Sequence, residues 1–375
     1  MKKDDLKAIF LIIIMLALIA ILAIFGLNVY LDFTGNASTV FEIFKEGFRP
    51  AQNNTEIQSS TGKIEIEEGG GLEQVELAGS TTVNKEQSSK GYFYNQLNTY
   101  SKKIYDKMAN NKDKMKTGTY KLEFGETFND LLKEENGSKL LQDYYQSAVE
   151  TFLYDNPDVF YLEPTKMYIN IKTIKKLFCT TYDVYIDSGK LPNYWTDEFN
   201  SEKEILEAEQ QVKNQTYSLL AKLEKGTDYE KILMIHDYLI NNLKFDESLE
   251  EKHIYNIYGA LVNNIAVCEG YAKSFKYLAN QAGIECIMVI GTAKNSEGDT
   301  ESHAWNYVKL NNKWYAVDVT WDDPILIGSG FIGNDIKYRY FLKSKATMAK
   351  DHFESGRFTE EGQEYNYPEL SMRDY

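Results

Sequence analysis

The chain is poor in the residues that build metal centres and redox pairs. Its 375 residues include three cysteines, Cys179, Cys268 and Cys286, and only four histidines. The cysteines lie far apart with no C-x-x-C pair, which argues against zinc-ribbon and thioredoxin-type chemistry. An odd number leaves at least one thiol free or shared between chains. So few histidines argue against a His-rich metal site, and no dense acidic loop resembles an EF-hand. No metal and no cofactor are therefore expected. Positive charge is also short. Against 56 Asp and Glu stand 41 Lys and Arg, for a net charge of -15. Phosphate binding needs a basic face, so nucleic acid is excluded as a partner. Tight electrostatic binding to anionic lipid is disfavoured too, while basic or neutral substrates stay open. No internal repeat is visible.

What is present is apolar material. Hydrophobic residues make up 43% and aromatics 14%, enough for a sizeable core, and the length suits about two domains. From Ala8 to Leu27 runs an uncharged apolar stretch of 20 residues. At a rise of about 1.5 Å per residue it is long enough to span a hydrocarbon layer. Lys2, Lys3 and Lys7 precede it, which places the N-terminus in the cytoplasm and the rest outside. The stretch is longer than the apolar core of a cleaved signal peptide, about 7–15 residues. The expectation is a single-pass membrane protein whose folded part is extracellular. Residues 1–33 are then tip and anchor, and 34–90 a polar stalk around Gly69-Gly70-Gly71, too apolar-poor to offset its ordering entropy.

Order is expected from about residue 91. Helical spacing appears over Ser101–Met115 and Leu140–Tyr154, the second burying Leu141, Tyr145, Ala148 and Phe152. Two alternating segments, Lys166–Lys172 and Cys179–Asp187, read as strands. Residues 91–195 form an α+β accessory region, and 196–375 a second domain. The latter opens with helices over Ser201–Leu223 and Tyr229–Asn242. A cysteine-bearing helix follows, and then strands IECIMVIG, HAWNYVKL and KWYAVDVTW.

The chemistry concentrates there. After Cys268, residues Tyr271, Phe275, Leu278, Ala279 and Ala282 make one apolar helical stripe, and Gly283 sits where a C-cap glycine belongs. Cys268 thus falls at the helix start, where dipole and free N–H groups favour a thiolate, the form that attacks. Asn311-Asn312 reads as a two-residue hairpin turn. That register pairs Leu310 with Lys313, Trp305 with Asp318 and His303 with Thr320. His303 and Asp318 become diagonal neighbours on one face. An imidazole oriented by a carboxylate is the general base of a triad. A thiol at a helix start, a strand histidine 35 residues on and an aspartate 15 further follow the order of the papain-like fold.

The segments VCEGYAKSFKYLANQAGIEC and HAWNYVKLNNKWYAVDVTWDDP closely resemble the transglutaminase-like core of bacterial surface and secreted proteins. KILMIHDYLINNLKFD, YGALV and YDNPDVFYL resemble that family as well. The resemblance covers roughly 92–355. It implies an α+β, papain-like core with Cys268 as nucleophile, His303 as its base and Asp318 orienting the histidine. It also implies a protein or peptide amide as substrate, attacked through a thioester. Hydrolysis, deamidation or proteolysis is slightly favoured over Gln–Lys crosslinking. The alternative is a non-enzymatic surface scaffold. One departure is Asn264, where relatives often carry glycine; asparagine tolerates the same left-handed backbone. His236, Asp322 and Asp323 read as packing and capping residues, and His352 as structural. Trp305 is a candidate to line the substrate site, Tyr258 to polarise a bound carbonyl, and the Cys268 backbone N–H to serve an oxyanion. A Cys179–Cys286 disulfide is left open.

Overall fold

A computed structural model describes residues 91–375 except 176–178, 296–297, 324–332 and 359–361. The apolar stretch Ala8–Leu27 and the polar stalk lie outside the described residues. Among the described residues no helix is long and apolar enough to cross a membrane.

The accessory half builds from α1 (Thr99–Ala109), β1 (Leu122–Gly125), α2 (Gly137–Asp155), β2 (Tyr168–Lys175) and β3 (Thr180–Asp187). The strands form one antiparallel sheet in the order β1-β3-β2. The helix expected over Ser101–Met115 breaks after Ala109. There the Asn111 side chain donates to the Lys107 carbonyl at 2.7 Å, taking an acceptor from the helix, and the chain restarts as one turn over Lys112–Met115. Helix α2 buries Leu141, Tyr145, Ala148 and Phe152 as its spacing demands. Cys179 lies just before β3 and is exposed, whereas Cys286 is buried; all three thiols are free, so the disulfide left open is absent.

The second half starts with α3 (Glu202–Leu223), capped by the Ser201 hydroxyl, and α4 (Asp228–Asn242), entered through a Thr227–Glu230 capping box. A short parallel pair, β4 (Lys244–Phe245) and β5 (Ile265–Ala266), delivers the chain to α5 (Cys268–Gln281). Just before β5, Asn264 sits at φ 58°, the left-handed conformation expected of it. Four antiparallel strands follow in the order β8-β7-β6-β9: β6 (Cys286–Lys294), β7 (Thr300–Leu310), β8 (Lys313–Val317) and β9 (His352–Glu354). Asn311 and Asn312 both take positive φ, and Leu310 pairs with Lys313, as the turn chemistry predicts. Helix α5 lies against β6 and β7. The result is a mixed α+β molecule whose second half stacks a helix layer on an antiparallel sheet.

The two halves share one apolar core. Phe93 packs edge-on against Phe358 at 5.0 Å and Tyr365 at 5.4 Å. Beneath α5, the buried Lys276 ammonium donates to the Cys286 carbonyl at 2.9 Å and faces Asp155, the last residue of α2, at 3.9 Å.

Candidate active site

Cys268 is the first residue of α5, with Val267 as its extended N-cap. The helix begins there because β5 ends two residues earlier and Gly270 lets the first turn sit against the backbone at Ile254. A Cβ on Gly270 would come within 2.4 Å of the Ile254 carbonyl oxygen. The thiol is half-buried and close enough to His303 to help raise the pKa of that imidazole.

His303 stands on β7, buried, with its Nε2 2.8 Å from Asp318 Oδ2. The hairpin register holds as far as Asn306–Val317, then β8 stops short of the expected KWYAVDVTW run. Asp318 leaves the sheet because its own N–H turns to the Tyr340 carbonyl at 3.2 Å. Its Oδ1 accepts the backbone N–H groups of Thr320 at 3.0 Å and Trp321 at 3.2 Å. The carboxylate is fully buried, yet four donors surround it.

The fourth donor is the residue that sequence reasoning missed. His352, at the start of β9, places Nε2 3.0 Å from the same Asp318 Oδ2. Its Nδ1 lies 2.7 Å from Asp351 Oδ1, and Asp351 in turn accepts the Tyr340 hydroxyl at 2.7 Å. The reading of His352 as merely structural is corrected: it touches the triad carboxylate directly. No sequence spacing could show this, because 34 residues separate it from Asp318. The local signal was only the Asp351-His352 pair. What brings β9 so close is Gly291, opposite His303 on β6. A Cβ there would meet the Phe353 carbonyl oxygen at 2.0 Å and Trp305 at 2.9 Å.

Charge follows geometry. Burial alone would lower the pKa of His303, but the neighbouring Asp318 carboxylate outweighs it and raises the imidazole to about 10. Asp318, against its own burial, is held well below the usual carboxylate range by the two histidines. Folding thus tightens proton binding at His303 relative to an ordinary histidine, near 6.5. Between about 6.5 and about 10 the folded state holds the extra proton. Stability from this group is full below that window and is lost as pH rises through it. Denaturant midpoints measured across the window should fall for the wild type, and the fall should be smaller in Asp318→Asn.

The other candidates sort by position. Trp305 is 1% exposed, so it packs behind His303 rather than lining a substrate site. Trp321, 5.3 Å from the His303 ring, lines a cavity of about 590 Å³ instead. The Tyr258 hydroxyl donates to Gln211 at 2.8 Å and is spent there. His236 is fully buried with Nε2 3.0 Å from Asp322 Oδ2, while Asp322 Oδ1 accepts the Tyr340 N–H at 2.8 Å; both are packing residues, as expected. Asp323 accepts the Tyr271 hydroxyl at 2.7 Å. His303, Asp318 and His352 are, among the described residues, the one group whose ligand atoms could gather on a cation. Their hydrogen bonds to one another account for the same geometry, and a cation would displace the imidazole protons that make them.

A helix-start thiol facing a histidine and an aspartate on an antiparallel sheet is the arrangement of the papain-like fold. Residues 217–319 match the model of the transglutaminase-like superfamily, and the chain carries a transglutaminase-like core. The chain is 28% identical over 145 residues to kyphoscoliosis peptidase of Homo sapiens, and equally to that of Mus musculus. Those matches take in 35% of this chain and 21% of the relatives' length. Among solved structures it is similar to a TGase, with 14% identity, 47% of this chain and 50% of that one covered, and a TM-score of 0.28. It is also similar to the periplasmic domain of TgpA from Pseudomonas aeruginosa, with 13% identity, 38% and 56% coverage and a TM-score of 0.24.

Proposed function

We propose that this chain is a cysteine-dependent enzyme acting on protein or peptide amides through a thioester. The observation that carries the reading is the contact chain from Cys268 through His303 to Asp318, closed by the 2.8 Å bond. The Cys268 sulfur, its proton already given up to His303, attacks the amide carbonyl carbon. The tetrahedral oxyanion then collapses, breaking the C–N bond, and His303 delivers the proton to the departing amine or ammonia. Water or a second amine resolves the acyl-enzyme, with His303 again the base. Asp318 holds Nε2–H of His303, which leaves Nδ1 free to exchange a proton with the thiol. The backbone N–H of Cys268, at the helix N-terminus, is the oxyanion donor.

Hydrolysis is the favoured outcome, since the Cys268 thiol is only half-buried and water can reach the acyl-enzyme it forms. Full-length protein incubated with a casein-like substrate and a biotinylated primary amine, then read by mass spectrometry, separates the cases. Cleaved peptides or glutamine converted to glutamate support hydrolysis, whereas amine incorporation makes the enzyme a crosslinker. No Cys268-dependent product in any channel favours the scaffold alternative.

His352 acts in this reading as a positioning residue. It shares Asp318 Oδ2 with His303 and so fixes where that oxygen sits. His352→Gln should lower kcat roughly tenfold to a hundredfold, the range found for partners that orient a reacting imidazole. KM should stay close to wild type, because no substrate contact is lost. A raised KM with unchanged kcat would contradict a positioning role.

A further inference from the structure

The loop that leads from β4 toward α5 is tied down at several points. Leu249 and His253 take φ 57° and 66°, left-handed conformations that are unfavourable for a residue with a side chain. Glu198, from a distant part of the chain, pins the second of them. Its carboxylate accepts the His253 backbone N–H and the Asn256 side-chain amide, the latter at 3.0 Å, and lies 3.0 Å from His253 Nδ1. Asp246 Oδ1 accepts the Ser248 N–H at 3.0 Å and its hydroxyl at 2.7 Å. Asn256 Oδ1 in turn accepts the N–H groups of Tyr258 at 2.9 Å and Gly259 at 3.2 Å. Backbone strain held in place by so many contacts gathers at functional sites.

What this clamp positions is the peptide between Ile254 and Tyr255. The Ile254 carbonyl accepts the N–H of Val267, the residue before Cys268, at 3.1 Å. The same oxygen is the one that a Cβ on Gly270 would meet at 2.4 Å. The peptide therefore rests on the first turn of α5, beside the nucleophile. From His253 to Ile257 every side chain is buried except that of Tyr255. Among the described residues its hydroxyl has no hydrogen-bond partner, whereas the Tyr258 hydroxyl is committed to Gln211. Burial, then the nearby charges of Glu269, Cys268 and Asp246, push the Tyr255 hydroxyl above its ordinary pKa. It thus remains an O–H donor through the neutral range, and the Cys268 sulfur lies within its electrostatic reach.

We propose that Tyr255 is a further catalytic residue: its hydroxyl donates to the carbonyl oxygen of the amide at Cys268 and holds the oxyanion that forms there, together with the Cys268 N–H. The inference rests on the enzyme reading and adds a group to it. A fixed donor of this kind binds the charged oxygen of the tetrahedral state more strongly than the neutral carbonyl, which is how it speeds the reaction.

Two reagents separate this role from simple access to the thiol. p-Nitrophenyl acetate transfers its acetyl group to the sulfur through a tetrahedral oxyanion and releases p-nitrophenolate. Iodoacetamide alkylates the sulfur by displacing iodide, and no oxyanion forms. The full chain is treated with each reagent as wild type and as Tyr255→Phe. Nitrophenolate release is corrected by subtracting that of Cys268→Ala, and alkylation of the Cys268 peptide is followed by mass spectrometry. Tyr255→Phe should release nitrophenolate roughly tenfold to a hundredfold more slowly, approaching the loss found when one oxyanion donor is removed. Its alkylation should match wild type, which also shows that the ring still packs and the site is intact. Release at the wild-type rate, or both reactions slowed alike, overturns the assignment and leaves the enzyme reading standing. Wild-type Cys268 that alkylates but is never acetylated overturns the enzyme reading itself, and Tyr255 with it.

Discussion

Cys268→Ala should abolish turnover, by roughly 10⁴-fold or more, with little change in the denaturant midpoint. The thiol is half-buried at a helix start, at the edge of the core, so its loss removes a single partly exposed sulfur. Everything that orients the reaction stays in place, including the bond from His303 to Asp318. What disappears is the sulfur that forms the acyl bond. Initial rates on any substrate found by mass spectrometry, beside thermal or urea unfolding of both proteins, check the two halves of the prediction. Turnover within tenfold of wild type would discard Cys268 as nucleophile.

Asp318→Asn should cost about as much, near 10⁴-fold in kcat, and should also destabilise the fold. The reason lies in the donors around the carboxylate. Oδ1 receives two backbone N–H groups, and Oδ2 receives two imidazoles. Asparagine has one oxygen and one NH₂ group, so it must turn donors toward donors on one side. The backbone N–H groups cannot move, so the amide oxygen stays with them and the NH₂ faces the histidines. His303 then has to present a lone pair at Nε2 and carry its proton on Nδ1, toward the thiol it should deprotonate. Removing one partner of a buried charge cluster costs about 3–5 kcal/mol, which a urea titration resolves. Retained activity with full stability would show that Asp318 neither orients His303 nor anchors the sheet.

The parts of this site that proved readable were those set by local rules. Cys268 was placed by one helical stripe and one glycine, His303 and Asp318 by an Asn-Asn turn whose positive φ angles fix the register. Asn264 was read correctly from its tolerance of left-handed backbone. The misjudged residues depend on contacts between distant segments. Trp305 and Trp321 flank the triad alike in sequence, but the first points into the core and the second toward open space. Pairing stops at Val317, earlier than the alternation of KWYAVDVTW suggests, because the Tyr340 carbonyl, from a later segment, captures the Asp318 N–H. His352 joins Asp318 only because β9 returns to the sheet. Its chemistry-bearing neighbours in sequence gave no period or motif to follow.

The return of β9 has a consequence for how the protein can be divided. The superfamily match ends at residue 319, but β6 receives its outer partner from residues 352–354. A fragment trimmed to the matched region would bare that flank of β6 as an open row of backbone donors and acceptors. Such an edge is a template for pairing with another chain. Strand β9 is only three residues long, and with exposed Phe353 and Glu354 it finishes the sheet as a very short edge. The last stretch of the chain is therefore also a guard against self-association, and trimmed versions should precipitate even where their cores are correctly built.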